Sequence, residues 1–345
     1  GLGQLLDEQW KEANQQFTKF IEAHYENWLH SNNKPLMSPE IIPTHIQEKL
    51  QNDEKIVLII IDCLRADQLK AMTSLLAQIF HIDTKYYLSI LPTATPYSRN
   101  AIFSGYYPNE LQNEYGELWQ KMWQDEHSMN RFENQFLRDQ LNRLGLESKS
   151  IHYHKVITYE EGNKLETRIG EFKEVDLLAI VINFVDILGH SRSESNILQE
   201  MVPDESAYRK AVCSWLENAW LLNVLEEISN WGHTVFLTSD HGSTRVTKPV
   251  QIKGDRQTST GIRFKYGQNI KMPEKSGITI PNPEKYFLPK HDLNTNYLIA
   301  KSGNFLIYPN EYHKFANHYN NSFQHGGISL EEMVVPIAEL KGKNG

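Results

Sequence analysis

Asp62, Asp186 and Asp240 each end an apolar run, in Lys55-Ile-Val-Leu-Ile-Ile-Ile-Asp62, Ala179-Ile-Val-Ile-Asn-Phe-Val-Asp186 and Thr234-Val-Phe-Leu-Thr-Ser-Asp240. A carboxylate beside a hydrophobic strand is costly unless it is paired or bound to a cation. In an open parallel sheet, groups at the carboxyl ends of the strands converge on one crevice. Three imidazoles accompany these aspartates: His241 adjoins Asp240, His190 follows Asp186 by four residues, and His325 precedes Gly326-Gly327. The expected arrangement places Asp62, Thr95, Asp240 and His241 around one cation and Asp186, His190 and His325 around a second. Their nitrogen and oxygen donors suit zinc better than magnesium, with manganese left open. Two Zn2+ per chain, about 4 Å apart, would stabilise the attacking and leaving oxygens of an in-line phosphoryl displacement.

The nucleophile candidate is Thr95, in Leu91-Pro-Thr-Ala-Thr-Pro-Tyr-Ser-Arg-Asn-Ala-Ile-Phe-Ser-Gly105. Thr is a good N-cap, Pro96 suits a first helical position and Gly105 supplies a stop, so a short helix from Pro96 is expected to carry Thr95 at its amino end. Free backbone N–H groups there favour a phosphate. Thr93 and Ser98 are competing hydroxyls, and Asn100 is the candidate donor to a non-bridging oxygen. Arg245, Lys248, Lys253, Arg256, Arg263 and Lys265 form a basic group suited to the remaining phosphates of a nucleotide. His152, His154, His291 and His318 compete with His325 as the last ligand.

These residues need a scaffold. Strands are expected over 55–62, 86–91, 148–154, 177–185 and 233–239, and helices over 65–80, 129–145 and 204–229. The alternation implies an α/β fold with a mostly parallel sheet covered on both faces. Asp186 and His190 fall on the loop after their strand, which Gly189 helps to turn. Beyond residue 240 shorter segments, ending in 333–340, are expected as loops and edge strands around the active-site end. Ahead of the sheet, Leu5, Leu6, Trp10, Phe17, Phe20, Ile21, Tyr25 and Trp28 recur at helical spacing as an amphipathic arm. A proline-containing linker over 31–54 follows it.

At 345 residues the chain has room for one large core domain plus an appendage. Residues 1–50 are read as helical arm and linker, and 51–345 as the phosphoryl-transfer domain. A net charge of -8 argues against a general nucleic-acid coat, yet two divalent cations would still draw an anionic substrate into the crevice. No stretch approaches the length of a membrane span and no signal peptide is visible, so no membrane insertion is expected. Two distant cysteines fit a reducing compartment, which makes the cytoplasm the expected location.

The order of these motifs resembles the alkaline phosphatase superfamily, and Pro92-Thr-Ala-Thr95-Pro is similar to the nucleophile segment of its nucleotide pyrophosphatase/phosphodiesterase branch. More narrowly, Asp62-Cys-Leu-Arg-Ala-Asp-Gln68, Leu91 to Arg99 and His325-Gly-Gly-Ile-Ser-Leu-Glu-Glu-Met-Val-Val-Pro336 resemble the PglZ-domain family, over roughly residues 50–340. Within it the resemblance is to the effector portion of a response regulator linked to type IX secretion. It implies an alkaline-phosphatase-like fold and a zinc-dependent phosphodiesterase acting on small oligonucleotides, linear or cyclic, as the output of a two-component system. A sensor kinase and type IX secretion components are the implied partners of the full-length protein, and a homodimer is compatible with it. No receiver pattern precedes residue 55, so the arm is expected to end a helical bundle that follows a receiver domain outside this sequence. Sulfatases also resemble the site, with an arginine four residues after the nucleophile as Arg99 follows Thr95. They require a formylglycine that Thr95 cannot become. Two other readings stay open: a metal- and nucleotide-binding module that signals by protein contact without turnover, and a phosphomonoesterase.

Overall fold

The computed structural model describes residues 1–125, 128–254 and 259–344. Strand β1 (Ile56–Ile61) is buried at every position, as an apolar run without alternation requires when both faces of a sheet are covered. Val57, Ile59 and Ile61 enter one core with Met72, Val224 and Leu225, while Ile56, Leu58 and Ile60 enter another with Phe103, Phe136 and Leu141. Beside β1, in parallel, lie β4 (Leu177–Ile182) and β5 (Thr234–Thr238), and β3 (Ile151–Val156) extends the parallel set beyond β4. On the other side of β5 runs the carboxyl-terminal strand Val334–Gly342, antiparallel both to β5 and to β2 (Phe80–Leu88). The six-stranded order is therefore β2, carboxyl-terminal strand, β5, β1, β4, β3.

Several segments differ from the sequence expectation, among them β2, which begins at Phe80, where the expected helix 65–80 would end, and stops at Leu88 instead of 91. Val334–Gly342 is not an edge strand at the active-site end but an interior one, because a long segment with Val335, Ile337, Ala338 and Leu340 buried fills the gap between β2 and β5. The helix expected over 204–229 is two helices, Glu205–Asn218 and Trp220–Ser229, broken at Ala219.

The amino-terminal helix Leu2–Leu29 buries Asn14, Thr18, Ile21, Tyr25 and Leu29, a stripe at three- and four-residue spacing. Ile21, Tyr25 and Leu29 pack beside Leu91, Ala94, Tyr97 and Met333, next to the nucleophile segment. Leu5, Leu6 and Phe20 from the expected apolar face remain exposed. Residues 31–54 do more than connect: short helical turns within them bury Ile41, Ile42, Ile46 and Leu50 completely. No helix among the described residues is long and apolar enough to cross a membrane.

Candidate active site

The carboxyl ends of β5 and β1 meet the amino end of helix Thr95–Ser104. Ala94, not Thr95, is the N-cap, and Thr95 takes the first helical position. Its hydroxyl lies 3.1 Å from His241 Nε2 and 3.3 Å from Asp62 Oδ1. Asp240 Oδ1 accepts from the backbone N–H groups of Cys63 (3.2 Å) and His241 (3.0 Å). Asp240 Oδ2 has no hydrogen-bond partner among the described residues although the residue is wholly buried. Such a lone carboxylate oxygen is costly unless a cation takes it. His241 Nδ1 donates to Gly242 O at 2.8 Å, which leaves the Nε2 lone pair facing Thr95 and the two aspartates. One ligand atom each from Asp62, Asp240 and His241 lies within a 4.8 Å group.

Asp186, His190 and His325 form a second group of the same kind. The strand leading to Asp186 stops at Ile182, so Asp186 and His190 are not on a loop; they stand one turn apart on helix Phe184–Glu194. Gly189 is accordingly helical, and its lack of a side chain admits the Tyr208 hydroxyl. His190 Nε2 and His325 Nε2 lie 3.3 and 3.2 Å from the same oxygen, Asp186 Oδ1. His325 Nδ1 donates to Thr93 O (3.2 Å), and the His325 ring stacks on His241 at 4.2 Å, which brings the two groups side by side.

Burial, then the Asp186 charge, raises the Asp62 carboxyl above its ordinary range; burial, then Asp62, pushes Asp240 up to about 6. Burial depresses the His241 imidazolium. Burial also opposes charge on Asp186 and His325, but their mutual attraction outweighs it. Asp186 is held well below the usual carboxylate range and His325 is lifted to about 9. Repulsion among the acids on one side and an imidazolium standing beside Asp186 on the other is the pattern that divalent cations would relieve. The donor set, its orphaned oxygen and its tautomer-fixed imidazole fit such ions.

Behind the first group, fully buried Arg99 donates from Nη1 to Asp62 Oδ2 at 2.8 Å and from Nε to Glu133 Oε1 at 2.5 Å. Tyr153 donates to the other Glu133 oxygen at 2.5 Å. Thr93 and Ser98, the rival hydroxyls, are engaged elsewhere. Thr93 donates to Gly327 O and accepts from Gly326 N–H, bracing the turn after His325, and Ser98 donates back to Ala94 O. Gly242 is required by packing, because a Cβ there would lie 1.7 Å from Glu331 O.

A cavity of about 610 Å³ opens over Thr95, Asp62, Asp186, His190 and His325. Trp123, Phe264 and Tyr266 supply aromatic wall, and Arg99, Arg131 and Lys155 supply its cations. The expected substrate contacts fall differently. Asn100 does not line the cavity: it is buried and its amide donates to the carbonyls of Pro96 and Met129. Asn130 lines it instead, fixed by donation to Thr95 O at 3.1 Å. Lys248 and Lys253 are exposed and away from the cavity, and Arg256 lies outside the described residues. Arg245 is half-buried off the cavity wall, while Arg263 and Lys265 are buried, Arg263 pairing with Glu332 and Lys265 donating to Ser259 O. Of the rival imidazoles, His318 lines the cavity, His152 stacks on Phe172 and is tilted against His154, and His291 packs between Trp123 and Tyr266. Lys155, unmarked by any motif, was still findable. It is the penultimate residue of β3, at the same carboxyl end of the sheet from which Asp62 follows β1.

Residues 41–340 match the BREX system PglZ alkaline phosphatase-like domain, and residues 1–29 match the PorX response regulator linker domain. No curated protein matches the sequence. The fold is similar to that of murine ectonucleotide pyrophosphatase/phosphodiesterase 5, with a TM-score of 0.55 and 13% identity over 84% of this chain and 88% of that one. It is also similar to phosphonoacetate hydrolase from Sinorhizobium meliloti 1021, with a TM-score of 0.51 and 9% identity over 83% and 90% of the two chains. With the match spanning most of its length, the chain belongs to the PglZ family of alkaline phosphatase-like domains.

Proposed function

We propose that this protein is a zinc-dependent phosphodiesterase that uses Thr95 as its nucleophile and cleaves small oligonucleotides, linear or cyclic. The observation that carries the reading is the placement of the Thr95 hydroxyl 3.1 Å from His241 Nε2 and 3.3 Å from Asp62, at a helix amino end that opens on the cavity. Asp62, Asp240 and His241 would hold one ion with Thr95, and Asp186, His190 and His325 the other. When bound, two divalent cations supply the charge that turns a threonine hydroxyl into a competent nucleophile and offsets negative charge developing on phosphorus.

The protein's own residues would then act as follows. Thr95 Oγ1 gives up its proton to water and attacks phosphorus, its bond to phosphorus forms as the bond to the leaving nucleoside oxygen breaks, and that oxygen takes up a proton from water. A water molecule next attacks the phosphothreonine, breaking the bond to Oγ1, releasing the phosphate product and restoring the hydroxyl. At the start of helix Thr95–Ser104 Pro96 has no N–H and those of Tyr97 and Ser98 donate to Ala94 O, which leaves the Thr95 N–H to face a phosphoryl oxygen. Arg99 orients Asp62 and opposes the rise that burial and Asp186 impose on its carboxyl. The aromatic wall of Trp123, Phe264 and Tyr266 offers faces for base stacking.

The match of residues 1–29 to a response regulator linker favours an output role in a two-component system, with a sensor kinase and type IX secretion components as partners of the longer protein, and a cytoplasmic location. The competing reading, a metal- and nucleotide-binding module without turnover, is separated from this one by a single assay. Zinc-loaded protein should hydrolyse bis-para-nitrophenyl phosphate faster than the monoester. Thr95→Val should lower the rate by about a thousandfold or more with zinc content unchanged. A zinc-loaded wild type without turnover favours the module, and a preference for the monoester favours a phosphomonoesterase.

A further inference from the structure

Of the cavity's cations the mechanism above leaves Arg131 and Lys155 unused, and Arg131 donates to Lys121 O and lies over the Phe132 ring, which leaves Lys155. Along edge strand β3, Val156 faces the core shared with Ile180 and Ile182, whereas Ile151 and Tyr153 face the opposite side, toward Phe103 and Phe136. Strand alternation puts Lys155 on that second side, the side of Arg99 and Glu133. There the charges divide unevenly. Arg99 is held between Asp62 and Glu133, and Tyr153 takes the remaining Glu133 oxygen. Lys155 is partly buried on the cavity wall, with no hydrogen bond or ion pair among the described residues. Burial pushes its ammonium down, and the nearest opposing charges on Glu133 and Asp62 are already engaged by Arg99.

A half-buried ammonium on a cavity wall gives up part of its hydration, which an oxygen of a phosphoryl group entering the cavity would replace. We propose that Lys155 binds a non-bridging oxygen of the phosphoryl group that reacts at Thr95, an assignment that rests on the phosphodiesterase reading above. Lysine suits the task. Its compact charge sits on a flexible stem, so it can follow phosphorus as the geometry changes from tetrahedral to five-coordinate, which a guanidinium fixed between two carboxylates cannot do. The contact strengthens as negative charge accumulates on the oxygens, so it contributes to the rate as well as to binding.

The test uses inorganic phosphate and zinc-loaded protein, by calorimetry and by inhibition of diester hydrolysis, with metal content and melting temperature measured on every variant. Lys155→Met should weaken phosphate binding by about ten- to a hundredfold, the range of a lost charged hydrogen bond, and lower kcat more than it raises KM. Zinc content should stay the same. Lys155→Arg should recover part of the phosphate affinity, which a merely structural role would not predict. Phosphate affinity within twofold of wild type in Lys155→Met, or a wild type that binds no phosphate, overturns the assignment. Because calorimetry needs no turnover, this result is read separately from the phosphodiesterase activity. A wild type that binds phosphate through Lys155 but cleaves no diester overturns only the catalytic reading.

Discussion

Arg99 shows how a single side chain decides whether three acids can share one buried corner. Its guanidinium bridges Asp62 and Glu133 and approaches Asp240 Oδ2 at 4.0 Å, all of them buried. Removing one partner of such a set leaves uncompensated charge in a low-dielectric interior, at a cost of about 3–5 kcal/mol. Arg99→Met should therefore lower unfolding free energy by that amount in chemical denaturation, and Arg99→Met combined with Glu133→Gln should recover part of it. A loss below about 1 kcal/mol in the single variant would show that Arg99 does not hold the acids. The spacing that suggests a sulfatase-like arginine in the sequence thus marks a residue that orients a proposed metal ligand from behind.

Between elements, the amino-terminal helix touches the proposed first metal loop through one acid. Trp10 Nε1 donates to Glu331 Oε1 at 2.7 Å, and the Asn14 amide donates to Glu331 Oε2 at 2.9 Å while accepting from Leu330 N–H at 2.8 Å. Thr244, four residues beyond Asp240, donates to the same Glu331. Gly242 N–H donates to Glu332 O, so the short helix Leu330–Met333 is bonded to the arm on one side and to the Asp240–Thr244 segment on the other. Asn14→Ala should weaken zinc binding about tenfold at one of two sites, at the low end of what outer-layer partners of a metal contribute. Competition with a fluorescent zinc chelator reads this directly, and unchanged affinity at both sites would show that the arm is not coupled to the loop. None of this coupling is visible in the sequence, because it joins residues from 87 to 321 positions apart. The strands carrying Asp62 and Asp240 were legible, since buried parallel strands are unbroken apolar runs. The helix bearing Asp186 and His190 was not. Asn-Phe-Val continues the apolar texture of β4 past its end, and an i, i+4 pair fits a loop as readily as a helix.

For the molecule as a whole, one crevice collects side chains from the segments that follow β1, β4 and β5 and from the segment before Val334–Gly342, and the sheet order explains why. β5, β1 and β4 are neighbours, so their carboxyl ends lie side by side, while the carboxyl-terminal strand enters antiparallel and His325, directly after the short strand Ser322–Gln324, reaches the same edge ahead of it. The α/β class and the proposed ligands Asp62, Asp240 and His241 follow from strand-terminal residues alone. The basic group beyond residue 240 does not: Arg263 is spent on Glu332 and the cavity's cations come from Arg99, Arg131 and Lys155. Long-range pairing of that kind leaves no periodic trace.

The central claim is that two cations are held beside Thr95 by these side chains. Anomalous diffraction at the zinc edge from crystals of the zinc-loaded protein tests it most directly. Two peaks are predicted, one in contact with Asp62, Asp240, His241 and Thr95 Oγ1, the other with Asp186, His190 and His325. Peaks elsewhere on the surface, or no peak at either group under saturating zinc, would contradict the account.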